Sequence, residues 1–247
     1  ASGLYSVETT FDKIWRGEKG SLPHVRSSIK NYENEIRPRI ETLTGASYSK
    51  LSKDIYSRIT LGYLEQMYAG LSTEILYSPT EHDFSIGAEL NYLKPRDYRQ
   101  LYGFREIPRL KVDKDGFFKT AYISGYWDTG YYDYLAQLDY GKYLAGDIGQ
   151  TITLSRNFSN GWKVGGFFTL TDVSFKQWGE GSFDKGFYFN VPIQIFSDEY
   201  TKQSQSFGLR PLTRDGAQFL IHSHHLWGVT DQAQSKNLTR DWNDLYD

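Results

Sequence analysis

The densest group of potentially reactive side chains in this 247-residue chain is His222-Ser223-His224-His225. Imidazoles are good metal ligands, and His222 and His224 fall on one face of an extended segment. A metal centre needs further ligands. The chain has no cysteine and no matching carboxylate motif, so no metal is assigned and the run reads as histidines on a final strand near an interface. Ser223 between two histidines is not a triad, because nucleophile, base and orienting acid must converge in space rather than in sequence. The 30 acidic residues guarantee some pair spaced for glycoside hydrolysis, so such a pair carries no information. G-x-S-x-G, P-loop and H-E-x-x-H motifs are missing. No catalytic residue and no cofactor are assigned.

Two other groups depend on the elements that carry them. In GEGSFDKGFYFNVPIQIF (179–196), a glycine-rich loop bearing Glu180, Asp184 and Lys185 runs into an aromatic strand with Pro192 inside it. The loop is either a structural hairpin folded back on the sheet or a constriction or docking loop. The remaining group is a set of polar residues, Arg58, Glu74, Glu89, Asp133, Asp139, Lys163, Tyr188 and Asn190, each in phase opposite an apolar run. Tyr56, Tyr68 and Tyr131 accompany them.

Those runs have the two-residue period of half-buried strands. Phe84, Ile86, Ala88, Leu90 and Tyr92 alternate with Ser85, Gly87, Glu89 and Asn91. Similar alternation marks Asp54–Leu64, Met67–Tyr77, Tyr132–Tyr140, Ile148–Leu154, Trp162–Leu170 and Phe187–Ile195. SPTEHD (78–83), DKDG (113–116) and SNG (159–161) supply turns. Twenty Tyr, 15 Phe, 6 Trp and 23 Gly fit the same all-β reading, since aromatic residues suit pleated surfaces and glycine suits turns. No run approaches the ~18 apolar residues of a spanning helix, which leaves strand-built membrane proteins open. The balance of 28 basic and 30 acidic residues gives no stripe for nucleic acid. No signal peptide is visible at Ala1, so an exported form is expected to be a mature or trimmed one.

Residues 1–52 are polar and mostly free of alternation. They are expected to be a connector or plug, with a short helix over Ser27–Glu35 that Pro38 ends or interrupts. Residues 53–228 are expected to form a meander of about 10–12 antiparallel strands, and 229–247 a polar tail. Alternation alone leaves two architectures open. A soluble sandwich or barrel turns the apolar face inward. A transmembrane barrel turns it to lipid and the charged phase to a lumen. An apolar face rich in Tyr, Trp and Phe at strand ends, and poor in core-filling Val, Ile and Leu, favours the second.

Several segments in order resemble the YjbH family of exopolysaccharide-biosynthesis outer-membrane proteins, which includes homologues in group 4 capsule operons. They are RITLGYLEQMYAGLSTEILYSP (58–79), FSIGAELNYLKPRDY (84–98), YLAGDIGQTITLSRNFSNGWKVGGFFTLTDVSF (143–175), GEGSFDKGFYFNVPIQIF itself and LRPLTRDGAQFL (209–220). The resemblance implies an up-and-down barrel in the outer membrane of a Gram-negative bacterium, serving exopolysaccharide or capsule secretion or surface assembly. Its expected partners are outer-membrane lipid, the polysaccharide, and a polysaccharide-export lipoprotein or operon-encoded periplasmic proteins. Family members are longer, so this chain looks like a C-terminal part. The family supplies no catalytic residues. Many outer-membrane barrels end on an aromatic strand residue, whereas here the chain continues past Trp227. Either the closing strand is internal, near Gly216–Trp227, or a periplasmic tail follows it. An outer-membrane enzyme and a soluble glycan-binding β-domain are the alternatives.

Overall fold

The structure, a computed structural model, describes residues 2–5, 21–33, 38–158, 160–178, 183–192, 204–210, 215–221 and 225–232. Among the described residues, eleven strands follow one another in a single antiparallel sheet whose spatial order is the chain order. They are β1 (Ser2–Tyr5), β2 (Pro38–Lys50), β3 (Ile55–Tyr63), β4 (Tyr68–Tyr77), β5 (Phe84–Pro95) and β6 (Phe118–Asp128). β7 (Tyr134–Lys142), β8 (Ile148–Asn157), β9 (Lys163–Thr171), β10 (Asp184–Pro192) and β11 (Ser204–Leu209) complete it. Three short helices accompany them: α1 (Ile29–Glu33), α2 (Phe175–Trp178) and α3 (Leu226–Gln232). Among the described residues, no pairing joins β11 to β1 or β2. No helix among the described residues is long and apolar enough to cross a membrane.

The two faces of the sheet are inverted relative to a soluble core. Large apolar side chains point outward and are exposed: Leu61 62%, Ile123 61%, with Ile59, Ile86, Leu90, Leu138, Leu154 and Phe187 alike. The opposite phase is polar and buried. Antiparallel register stacks it into transverse rows. One row runs Arg58, Glu74, Glu89, Tyr122 across β3 to β6. A second runs Ser124, Asp139, Thr151, Thr169, Asp184 across β6 to β10. The sheet curls around this face, since Glu74 of β4 and Phe167 of β9 line one cavity.

One end of this interior is dry. The β3–β4 turn, the long loop between β5 and β6 and the segment 21–33 bring Leu64, Met67, Tyr68, Ile107, Leu110 and Val25 into a buried apolar cluster. Arg96, fully buried, donates to the backbone carbonyls of Glu41, Glu65, Ile40 and Gln100. Its guanidinium lies over the Tyr63 ring, 4.4 Å from the centroid. Four carbonyls on one cation tie β2, the β3–β4 turn and the β5–β6 loop together.

Several expected boundaries move. Pro38–Lys50 is a strand paired to β3 rather than connector, so the sheet begins before residue 53. Its sequence, PRIETLTGASYSK, hides a strand because small polar residues occupy both faces. The helix expected over Ser27–Glu35 spans Ile29–Glu33. Among the described residues the sheet has eleven strands, against about 10–12 expected, and nine of them, β3 to β11, lie between Asp54 and Trp227. The boundary at 229 falls inside α3. Described residues in Gly216–Trp227 form no closing strand but pass along the inner face.

Candidate functional site

A buried backbone N–H needs an acceptor, and the described residues 215–221 and 225–226 have no sheet partner to supply one. Carboxylates from the sheet and its turns take that role. Asp147 accepts from Ala217 N at 2.7 Å, Glu65 from Ile221 N at 2.9 Å, and both oxygens of Glu74 from Leu226 N at 3.1 Å. Asp215, on the segment itself, accepts from Arg26 N and Ser27 N at 2.8 Å, tying the N-terminal segment to the C-terminal one. At the dry end, Arg26 donates to both Glu65 oxygens at 2.6 and 3.1 Å, and to Phe219 O at 2.6 Å. Burial acts against the Arg26 charge, but the Glu65 carboxylate more than offsets it and holds the guanidinium above its ordinary range. Burial also pushes the Asp147 carboxyl up to about 6.

At the other end lies a cavity of about 450 Å³ between the inner face and the C-terminal segment. Glu74 and Glu89 face each other directly across β4 and β5, a juxtaposition of like charges that costs free energy unless a cation is shared. Arg58, 2% exposed, supplies it, with Nη2 at 3.0 Å from Glu74 and 3.6 Å from Glu89. His225 Nδ1 stands 3.3 Å from Glu89, and its side chain is 49% open, onto the cavity. Burial draws the imidazole pKa down, but the Glu89 hydrogen bond and the charges of Glu89 and Glu74 outweigh it and leave it raised. Asp139 is held by the Gln137 side-chain amide, at 2.9 and 3.0 Å, rather than by a cation. Trp227 stacks on Tyr126, centroids 4.5 Å apart at 11°, and Phe219 meets Tyr122 at 4.9 Å.

Glu74, Glu89 and His225 bring ligand atoms within 4.8 Å of one another, a spacing open to a cation. Arg58 already stands between the two carboxylates, so a guanidinium charge occupies the place that an ion would need. The arrangement is suited to non-covalent work: aromatic surfaces beside ordered acceptors and donors.

Arg58, Glu74, Glu89 and Asp139 all lie on the inner phase, and the last three line the cavity. Lys163 and Asn190 pair across β9 and β10 at the strand ends, and Tyr188 lies over Gly165, both away from that cluster. Asp133 is not on a strand; it is exposed at φ +56° in the turn before β7, where Asn157 N donates to its carbonyl. Asp184 is not in a loop but opens β10, buried, with Arg210 at 3.0 Å. Lys185 follows it on the outer phase, 4.3 Å from the Phe183 ring centroid. Glu180, His222 and His224 lie outside the described residues. His225 faces the interior rather than lying on a strand at an interface. Pro192 is the last described residue of β10, beyond its final β9 partner, so no pairing toward β9 is lost there. Tyr68 belongs to the dry cluster and Tyr131 to an exposed turn, so neither joins the cavity. Sequence reasoning missed Arg26, Glu65, Arg96, Asp147 and Asp215, which sit outside the strands, where no periodicity reports direction.

Residues 2–232 match the YjbH family, described as "Exopolysaccharide biosynthesis protein YbjH". The chain is 35% identical over 211 residues to "Uncharacterized lipoprotein YjbH" of Escherichia coli (strain K12), covering 85% of this chain and 29% of that protein. It thus spans less than a third of its relative's length. No solved structure matches it.

Proposed function

The chain belongs to the YjbH family of exopolysaccharide biosynthesis proteins, and from that premise we propose that it builds a transmembrane β-barrel of the outer membrane, serving exopolysaccharide secretion or surface assembly without catalysis of its own. The observation that carries this reading is the inverted sheet. Its outer face is apolar over strand after strand, and its inner face is charged and filled by chain segments. A charge placed on lipid near the midplane costs ~2–4 kcal/mol for Arg or Lys, which explains why the inner phase holds the charges. The relative is named a lipoprotein and comes from Escherichia coli, which supports an envelope location. Expected partners are outer-membrane lipid, the polysaccharide itself, and an export lipoprotein or periplasmic protein, reached through the polar stretches outside the sheet.

Because the relative is much longer, one competing reading has a specific basis: the apolar outer face packs against another part of a longer protein. The absence of native cysteine gives a direct test. Ile123→Cys and Ser124→Cys are neighbours on opposite phases of β6. In a barrel, Ile123→Cys reacts with a lipid-soluble maleimide and resists a water-soluble one. Fractionation with outer membrane and faster gel migration unheated than boiled accompany that result. Recovery as a detergent-free soluble monomer, with Ile123→Cys open to the aqueous reagent, sinks the barrel.

A further inference from the structure

We propose that the cavity between the inner face and the C-terminal segment is a saccharide site that accepts neutral or amine-bearing sugar units and rejects uronates. The substrate class rests on the exopolysaccharide reading above; the charge preference rests on the cavity alone. Its volume, about 450 Å³, lies within the ~300–1,000 Å³ usual for small-molecule sites. A pyranose presents apolar C–H faces ringed by hydroxyls, so its site needs flat apolar surfaces flanked by hydrogen-bonding groups. Tyr122, Tyr126, Phe219 and Trp227 supply the surfaces. Ser124, Gln137, Thr151 and Thr153 supply neutral donors and acceptors around them.

Charge then selects among sugars. Glu74, Glu89 and Asp139 line the cavity, and each cation near it is already engaged. Arg58 is shared by the two glutamates, His225 stands on Glu89, and Arg210 is paired with Asp184 at 3.0 Å. An incoming sugar carboxylate meets these acids in a partly desolvated space, where like charges repel more strongly than in water. A sugar ammonium meets Asp139, whose partner is an amide rather than a cation. Sugar hydroxyls are served by either kind of acceptor, so neutral units fit as well.

The test is calorimetric titration of the purified 247-residue chain in detergent micelles with three oligomers of equal length: glucosamine, glucose and galacturonate. The expected result is saturable binding of the first two, with galacturonate at least about tenfold weaker. Asp139→Asn should weaken the glucosamine oligomer by about tenfold and leave the glucose oligomer nearly unchanged. Trp227→Leu should weaken both. Asp139→Asn is isosteric and carries the charge test on its own if Trp227→Leu does not fold. Absence of binding by a chain that keeps its heat-modifiable mobility overturns the site, and so does galacturonate binding as tight as the others. Indifference of the glucosamine oligomer to Asp139→Asn overturns the charge preference. A chain that inserts but binds no oligomer leaves the barrel reading standing. A soluble chain that binds in the expected order does the reverse.

Discussion

The two ends of the interior solve one problem differently. Both must accommodate a C-terminal segment whose described residues have no strand partner, and both use carboxylates to take its N–H groups. At the dry end, Glu65 is paired with Arg26, whose guanidinium also reaches Met67 Sδ and the Phe219 carbonyl, beside the buried apolar cluster that includes Val25, Tyr68 and Leu93. At the other, Glu89 and His225 border open space of about 450 Å³. The same side-chain type is thus a structural tie where its cation is packed in, and a candidate recognition group where room remains beside it. Burial with full pairing fixes structure; burial with an open neighbour leaves chemistry to be done.

The largest expected effect tests the dry end. Glu65→Ala strands the Arg26 guanidinium and the Ile221 amide without their acceptor, and breaking a buried pair this way costs about 3–5 kcal/mol. Glu89→Gln at the open end keeps a polar group beside a half-open His225 and should cost about 1 kcal/mol. Urea titration of the folded band on unheated gels measures both; equal losses would erase the distinction between the ends. Next is the outer face: Ile123→Lys should cost ~2–4 kcal/mol in a bilayer. On a water-facing surface the same change falls within about 0.5 kcal/mol.

Two glycines sharpen the contrast further. Gly70, at φ +148°, would place a Cβ 2.1 Å from the Tyr92 carbonyl oxygen, so Gly70→Ala near the dry end should cost about 1–3 kcal/mol in strain. Gly87 lines the cavity, and its added Cβ meets Leu76 Cδ1 at an ordinary 3.5 Å; Gly87→Ala should change stability by less than about 1 kcal/mol.

The smallest effect is on pH. Asp147 is raised from 3.8 to about 6 in the folded chain, so it binds its proton more tightly there than when unfolded. Its contribution is complete below 3.8 and is lost as pH rises through about 6. His225, facing Glu89, Glu74, Arg58 and Asp139, is raised above 6.5, so its contribution is complete below 6.5 and fades as pH rises through the folded value. Protease access to the C-terminal segment should therefore increase as pH rises from 3.8 through about 6, where Asp147 loses its proton, and again above 6.5 as His225 loses its own. His225→Gln should remove the upper part of that change and spare the lower, which belongs to Asp147. An increase in access on acidification would reverse the assignment.

The strand pattern was legible because a two-residue period reports the face of each side chain. Alternation therefore places Arg58, Glu74, Glu89 and Asp139 on one phase, and their contacts come from the cross-strand register. β2 was not legible, since a strand with small polar residues on both phases has no period to read. Asp133 shows the related weakness at a strand end, where alternation continues in sequence outside the ladder. Asp184 shows the converse, a glycine-flanked acid that reads as loop but begins a strand.

By itself the sequence determined an antiparallel all-β meander and, within the alternating runs, which residues share a face, because these follow from local sterics and period. The tertiary structure alone decided that the polar face turns inward, that Glu65 and Asp147 receive a segment about 70 to 156 residues away, and that Asp139 borders an open cavity. Those outcomes depend on the sheet's curvature and on which distant N–H groups remain unpaired once the strands have formed, and no local pattern carries that information.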